Sequence, residues 1–552
     1  MTDGALEVAI VGFGPKGTYA LERLLEHAHR TDRPIVAASP KPIRVTAYES
    51  GTPGCGPNYS PSQPPFLRMN FAASQLDAWP HDTTFVPGRE RLNFVDWRAR
   101  YSTPGGDDDF PPRAQVGRYL EWFLAKVLAY RSQRVGVKLV SERVRRVERV
   151  ADGWLLASGA SRWERFDEVI FCTGHRWSAP APLPVTGRTV PCLAAFPVDA
   201  LMHDRPLAPG TVVAIRGFAL SFIDATLALT EGRGGAFTPA PLAKLRYVPS
   251  GREPSVIIPF SRSGLPMSAK QPPDRFRDSD AVEQAMASAR VRILALPADF
   301  SVEADLMPLV GQLGDEIARS SGAHMPAPTA DVRVMIERSI AIAYGWAPPD
   351  REACLGEAWR LAYPAVVERL GHGGLSDSEY PSCRRIATSM ERIAFGPPPV
   401  NAAKLVALSD AGILCLDRTG TAPASRIDGL VDAVLPRPGA DSGDPGPLGA
   451  LIRAGVLTLQ GRRGIRVDDS AHCLGADGRR VPGLACAGRP TEDWVIGNDT
   501  LSRSLHPDLD RWARAVIDTS MGRAAVDAAI HRLPSTGSDT PLEIAMPAVF
   551  PR

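Results

Sequence analysis

The sequence predicts an α/β protein of two parallel-sheet domains interrupted by a helical insertion. Three observations carry this. A buried-strand run near the N-terminus passes through a glycine turn into apolar residues at helical spacing. The same order returns at residue 211, and residues 280–392 switch to helical periodicity alone.

The first unit reads Glu7-Val-Ala-Ile-Val-Gly12-Phe-Gly14-Pro15-Lys16-Gly17 and continues as a helix to Leu25. Strand, G-x-G-x-x-G and helix in this order give a Rossmann-like dinucleotide site. Gly12 makes the tight turn, Gly14 lets backbone approach a pyrophosphate, and Gly17 lets the helix pack on the strand, its N-terminus facing the phosphates. A second strand, Ile43 to Tyr48, ends at Glu49, whose carboxylate can accept bonds from ribose hydroxyls. Glu49 lies farther from the glycines than the usual spacing of about 20 residues, and a loop over residues 31–42 accounts for the excess.

The second unit, Thr211-Val-Val-Ala-Ile-Arg-Gly217-Phe-Ala219-Leu-Ser221, repeats the logic as G-x-A-x-S. Gly217 and Ser221 are its candidate nucleotide contacts, with one methyl group at the close-approach position. The next strand, Ser255 to Ser261, ends at Arg262, a cation suited to a 2′-phosphate; Arg252 competes for that role. Gly232-Arg233-Gly234-Gly235 reads as a turn. Helical spacing follows in Val332–Ala343 and Ala358–Leu370, strand-like pattern returns around Gly412-Ile-Leu-Cys-Leu, and Pro482–Pro490 reads as a late strand ending in the turn at Gly488. A helix is expected near His506 to Ile517, Leu435–Pro447 reads as a long loop, and residues 531–552 read as a loose tail.

Composition narrows the function. The 552 residues carry a formal net charge of +2 and no dense basic run, which argues against nucleic acid and anionic membranes. No stretch of about 18 apolar residues and no secretory pattern appear, so a cytoplasmic protein acting on a small molecule is expected. The eight cysteines form no C-x-x-C pair, arguing against a zinc ribbon or redox disulfide; no metal is expected.

Beyond the glycines, the ordered set Gly54-x-Gly56-x-x-Tyr59, Met69-Asn70, Pro112-Arg113-x-x-x-Gly117-x-Tyr119 and Cys172-Thr173-Gly174-His175 resembles the FAD-NAD(P)-binding family of bacterial flavoproteins. The likeness covers roughly the first 180 residues and extends to the class B flavin monooxygenases, including amine N-hydroxylases. It implies two Rossmann-like domains, one for FAD and one for NADPH. The FAD domain would comprise residues 1–200 and 476–530, the NAD(P)H domain 201–275 and 396–475, and the insertion 276–395 would cover the substrate.

The resemblance also implies that Thr173 and Gly174 lie beside the dinucleotide and that Met69-Asn70 passes under the flavin ring, with Asn70 bonding flavin or substrate. Arg113 is open to two readings, a partner for a phosphate or substrate carboxylate, or a surface charge at a helix start. His175 is open too: it orients nicotinamide or peroxide, or is a structural hydrogen-bonder. In such enzymes NADPH reduces FAD, molecular oxygen adds to give a C4a-hydroperoxyflavin, and one oxygen passes to a nucleophile. Without the motifs of disulfide reductases, halogenases or ketone oxidation, N-oxygenation of a small amine or amino acid is favoured. For aspartate, Arg68, Arg113 and Arg176 are the candidate cations. An NAD(P)H-dependent flavin reductase and a non-catalytic redox sensor are the alternatives, and homo-oligomerisation is left open.

Overall fold

The structure, a computed structural model, describes residues 4–31, 41–101, 109–159, 162–174, 190–241, 244–273, 279–417, 419–420, 427–435, 439–461, 463–498 and 501–522. The strands are β1 (Leu6–Val11), β2 (Ile43–Tyr48), β3 (Val135–Val140), β4 (Arg146–Val150), β5 (Gly153–Ala157), β6 (Trp163–Phe166), β7 (Glu168–Phe171) and β8 (Cys192–Ala194). They continue as β9 (Val212–Arg216), β10 (Ala236–Pro239), β11 (Leu245–Val248), β12 (Val256–Phe260), β13 (Gly429–Asp432), β14 (His472–Leu474) and β15 (Arg480–Cys486). The helices are α1 (Pro15–Thr31), α2 (Phe94–Tyr101), α3 (Arg113–Ala129), α4 (Asp199–Met202), α5 (Leu220–Leu229), α6 (Asp280–Leu294) and α7 (Met307–Ser320). After them come α8 (Val332–Tyr344), α9 (Arg351–Leu370), α10 (Tyr380–Ala394), α11 (Pro399–Asp410), α12 (Pro447–Arg453) and α13 (Asp508–Ser520).

The first sheet runs β14-β15-β7-β1-β2-β3, parallel except where β14 meets β15. The chain leaves β1 for β2 on one side and later returns at β7 on the other. That places a topological switch point beside the C-terminal end of β1, where open α/β sheets bind their ligands. Strand β1 is apolar without alternation because both its faces are covered, Val8, Ala9 and Ile10 being fully buried. Helices α1 and α13 pack on one face through Leu21, Leu24, Trp512 and Val516. The antiparallel sheet β4-β5-β6 and the region around Leu448 and Ile465 close the other.

Helix α1 also buries two carboxylates that its apolar pattern does not explain. Glu22 meets Arg23 at 2.7 Å and Arg503 at 2.5 Å, and Glu26 accepts the Thr84 N–H at 2.6 Å. Arg23 lies on α1 itself, and the loop over residues 80–85 and the segment before α13 supply the other partners, so the charges are compensated where they are buried.

The second sheet, β12-β9-β13-β8, is wholly parallel. Its strand β8 lies before residue 201, and β14 of the first sheet lies before residue 476, so the sheets divide the chain earlier at both points than the sequence boundaries place them. The helical stretch divides as well. Helices α6, α7, α9 and α10 enclose their own core around Val310, Leu313, Trp359 and Ile393, whereas α8 joins α11 against the second sheet through Ile336, Ile340, Leu405 and Leu408. The strand-like Gly412–Leu416 makes only an isolated bridge, Leu414 beside Ile257. Among the described residues no helix is long and apolar enough to cross a membrane.

Candidate functional site

At the end of β1, Gly12 has φ 88°, and a Cβ there would lie 2.8 Å from the Cys172 carbonyl oxygen. Only glycine allows this approach, and it brings the Thr173-Gly174 exit of β7 against the turn. A Cβ on Gly17 would lie 2.2 Å from the Gly12 carbonyl oxygen, so α1 packs its first turn directly on the strand exit. Gly14 has a different neighbour. A Cβ there would find only Gly56 backbone, 3.7 Å away, so Gly14 and Gly56 leave a side-chain-free floor before α1. Helix α1 begins at Pro15, which lacks an N–H and suits the first position. The N–H groups of its first turn carry the positive end of the helix dipole. Glycine floor and helix N-terminus together fit an anionic pyrophosphate.

Glu49 is aimed into this turn. Its Oε2 accepts the Phe13 N–H at 2.9 Å and its Oε1 the Gly51 N–H at 2.8 Å, leaving further lone pairs for ribose hydroxyls. Gly488, buried with φ 79°, approaches α1 from the C-terminal part of the chain; a Cβ there would lie 3.4 Å from Lys16 Cγ. Thr491 Oγ1 donates to the Gly488 carbonyl at 2.9 Å and accepts from Asn498 Nδ2 at 2.7 Å, which holds that turn. Gly12, Gly14, Pro15, Lys16, Gly17, Glu49, Thr173, Gly174 and Gly488 therefore converge. The Cys172 thiol beside them is pushed up to about 12 by burial, and burial followed by the Lys16 charge lowers His506 to about 4, keeping it neutral near pH 7.

The second turn is plainer. Gly217 has φ 107°, and a Cβ would meet the Ala433 backbone at 3.1 Å. Ala219, exposed and extended, precedes α5, and Ser221 lies half-buried in its first turn. Arg262, just past β12, is exposed and has no ionic partner among the described residues. Its rival Arg252 is paired with Asp204 at 2.9 Å.

Arg113 is engaged within the protein. Its Nη2 meets Asp224 of α5 at 2.8 Å and its Nε donates to the Arg68 carbonyl at 3.2 Å, joining the first helix after the Pro-Pro turn to the second nucleotide unit. Burial raises the Asp224 carboxyl and Arg113 opposes that rise. Arg68 Nη1 donates to the Phe110 carbonyl at 2.9 Å. Met69 is buried, and its N–H donates to the Pro111 carbonyl at 2.9 Å. Asn70 Nδ2 donates to the Phe395 carbonyl at 2.9 Å, which ties the segment to the end of α10. His175 and Arg176 lie outside the described residues.

Sequence reasoning missed a cavity beside Asn70. It measures about 70 Å³ and is lined by Gln75, Lys270, Gln271, Glu357 and Arg360 among others. Lys270 is 7% exposed and donates to the Asn70 carbonyl at 2.7 Å. Burial first, and the Arg360 charge second, lower it to about 7. Nothing in the Met267-Ser-Ala-Lys270-Gln271 pattern signals a site, because its walls come from distant segments of the chain.

Residues 9–176 match the family model described as FAD-NAD(P)-binding. The nitrosuccinic acid synthase of Aspergillus oryzae is 32% identical over 277 residues, 48% of this chain and 41% of that protein. An L-aspartate N-monooxygenase (nitrosuccinate-forming) of Streptomyces cremeus is 31% identical over 295 residues, 48% of this chain and 43% of that protein. The chain thus spans less than half the length of the curated relatives it matches. An ornithine N-hydroxylase of Kutzneria sp. 744 is similar in structure, at 14% identity and TM-score 0.44, over 94% of this chain and 100% of the other.

Proposed function

We propose that this chain is an FAD- and NADPH-dependent monooxygenase that N-oxygenates a small amino acid, with aspartate the favoured substrate. The observation that carries the reading is the convergence of Gly12, Gly14, Gly17, Glu49 and Gly488 on the N-terminus of α1, which sets a glycine floor, a helix N-terminus and an acid where an FAD pyrophosphate and ribose would need them. The activities named for the two curated relatives support the choice of substrate.

Bound FAD, reduced by NADPH, supplies the oxygen chemistry. The chain's own residues bind and orient. The first N–H groups of α1 and Lys16 hold the pyrophosphate, Glu49 holds the ribose hydroxyls, and Arg262 takes the 2′-phosphate of NADPH. The substrate's neutral amine is itself the nucleophile, so positioning and exclusion of water are what the protein must add. Eight free thiols suit a reducing, cytoplasmic setting.

The test is reconstitution with FAD, followed by NADPH and oxygen consumption with and without L-aspartate and mass analysis of the product. The reading expects aspartate-dependent consumption and an N-oxygenated acid. NADPH oxidation that no amino acid accelerates, with no N-oxygenated product, would replace it with a flavin reductase.

A further inference from the structure

The cavity beside Asn70 holds three charged side chains, and two of them cancel. Arg360 Nε donates to Glu357 Oε2 at 2.9 Å, its Nη1 to the Ala394 carbonyl at 2.7 Å and its Nη2 to Gln271 Oε1 at 3.2 Å, so its donors are engaged. Lys270 has no carboxylate partner among the described residues. Its ammonium gives one hydrogen bond, to the Asn70 carbonyl, and stands 5.7 Å from the Phe71 ring centre and 5.5 Å from that of Phe395. A lysine this buried without a direct ion pair is costly, and in its protonated form it leaves the cavity with one net positive charge.

We infer that Lys270 is the cation that seats a carboxylate of the substrate, in the cavity between the Met69–Gln75 segment and α9. The inference rests on the proposed amino-acid N-oxygenation and supplies a cation other than Arg68, Arg113 and Arg176, the three that the sequence offers. A carboxylate entering here receives the two ammonium protons that Asn70 does not use. The burial of Lys270 itself, beside the Phe71 and Phe395 rings, strengthens the pair.

Succinate, which carries both carboxylates of aspartate and no amine to oxidise, probes the site without turnover. The FAD-loaded protein and its K270M and K270R variants are titrated with succinate and with L-aspartate by calorimetry. FAD content and the thermal denaturation midpoint serve as controls for folding. Removing the two charge-assisted hydrogen bonds predicts about 100-fold or more weaker binding of both ligands to K270M, with the controls unchanged and K270R largely restored. Because the cation must be protonated to bind, and Arg360 and Glu357 are the charged groups facing it, succinate affinity falls as pH rises through about 7. K270M binding succinate as tightly as the unaltered protein overturns the inference, as does an unaltered protein that binds neither ligand. If succinate binding depends on Lys270 but aspartate is never oxidised, the inference stands and the proposed function fails.

Discussion

The two glycine turns of this chain use one local plan with unequal investment. At the first, every close approach is made by glycine, an acid is aimed into the turn by two backbone N–H groups, and two distant segments, at Thr173 and Gly488, close around it. At the second, Gly217 alone is sterically required, Ala219 carries a methyl group before the helix, and Arg262 waits exposed. On the proposed function, the difference is what separates a resident FAD from an NADPH that must enter and leave. A closed, many-sided cradle gives slow release, and an open site with one exposed cation gives exchange.

The contrast between the turns is most vulnerable at Gly14. G14V fills the floor facing Gly56 and pushes a pyrophosphate off the helix N–H groups; losing charged hydrogen bonds of about 1.5–3 kcal/mol each predicts at least about 100-fold weaker FAD binding. Flavin fluorescence on purified apo-protein measures it, and G14V retaining FAD would show that the first turn is not the cradle. Next is the link between the two units. R113M strands Asp224 buried without its cation, at a cost of about 3–5 kcal/mol in denaturant unfolding, whereas R113M combined with D224L recovers most of the loss. If R113M leaves stability intact but abolishes substrate binding, Arg113 belongs to the active site after all.

Smaller changes probe the second turn. R262S raises KM for NADPH by about 10-fold or more and leaves NADH unaffected, since only the 2′-phosphate loses a partner. Equal effects on both coenzymes would remove Arg262 from phosphate recognition. The least effect is expected of A219G, which lowers KM for NADPH by less than about 3-fold by clearing the approach to the backbone. An increase in KM would mean that the methyl group packs on the coenzyme.

How much was legible follows from the range of each interaction. The two strand-turn-helix units, the helices at Val332–Tyr344 and Arg351–Leu370 and the late strand ending at Cys486 all announce themselves within about twenty residues. The helix expected from His506 begins at Asp508, a shift of the size that end-fraying produces. Less legible were the short strands β8 and β14, whose three residues carry no period and whose sheet membership is settled by partners far away in sequence. Buried charge was illegible for a related reason. Asp224 sits in an apolar helix like a misplaced residue until Arg113 is seen opposite, and Lys270 looks like any surface lysine until Asn70, Phe71 and Phe395 are folded over it.

The sequence by itself determined the glycine turns and the strands and helices that flank them, because steric limits at a turn and the periods of a strand or helix act between near neighbours. Tertiary structure alone decided which charges are paired and which are buried without an ion pair. Glu22 with Arg503, Arg113 with Asp224 and the uncompensated Lys270 all depend on segments between about a hundred and several hundred residues apart, where burial removes water and makes the presence or absence of a single partner decisive.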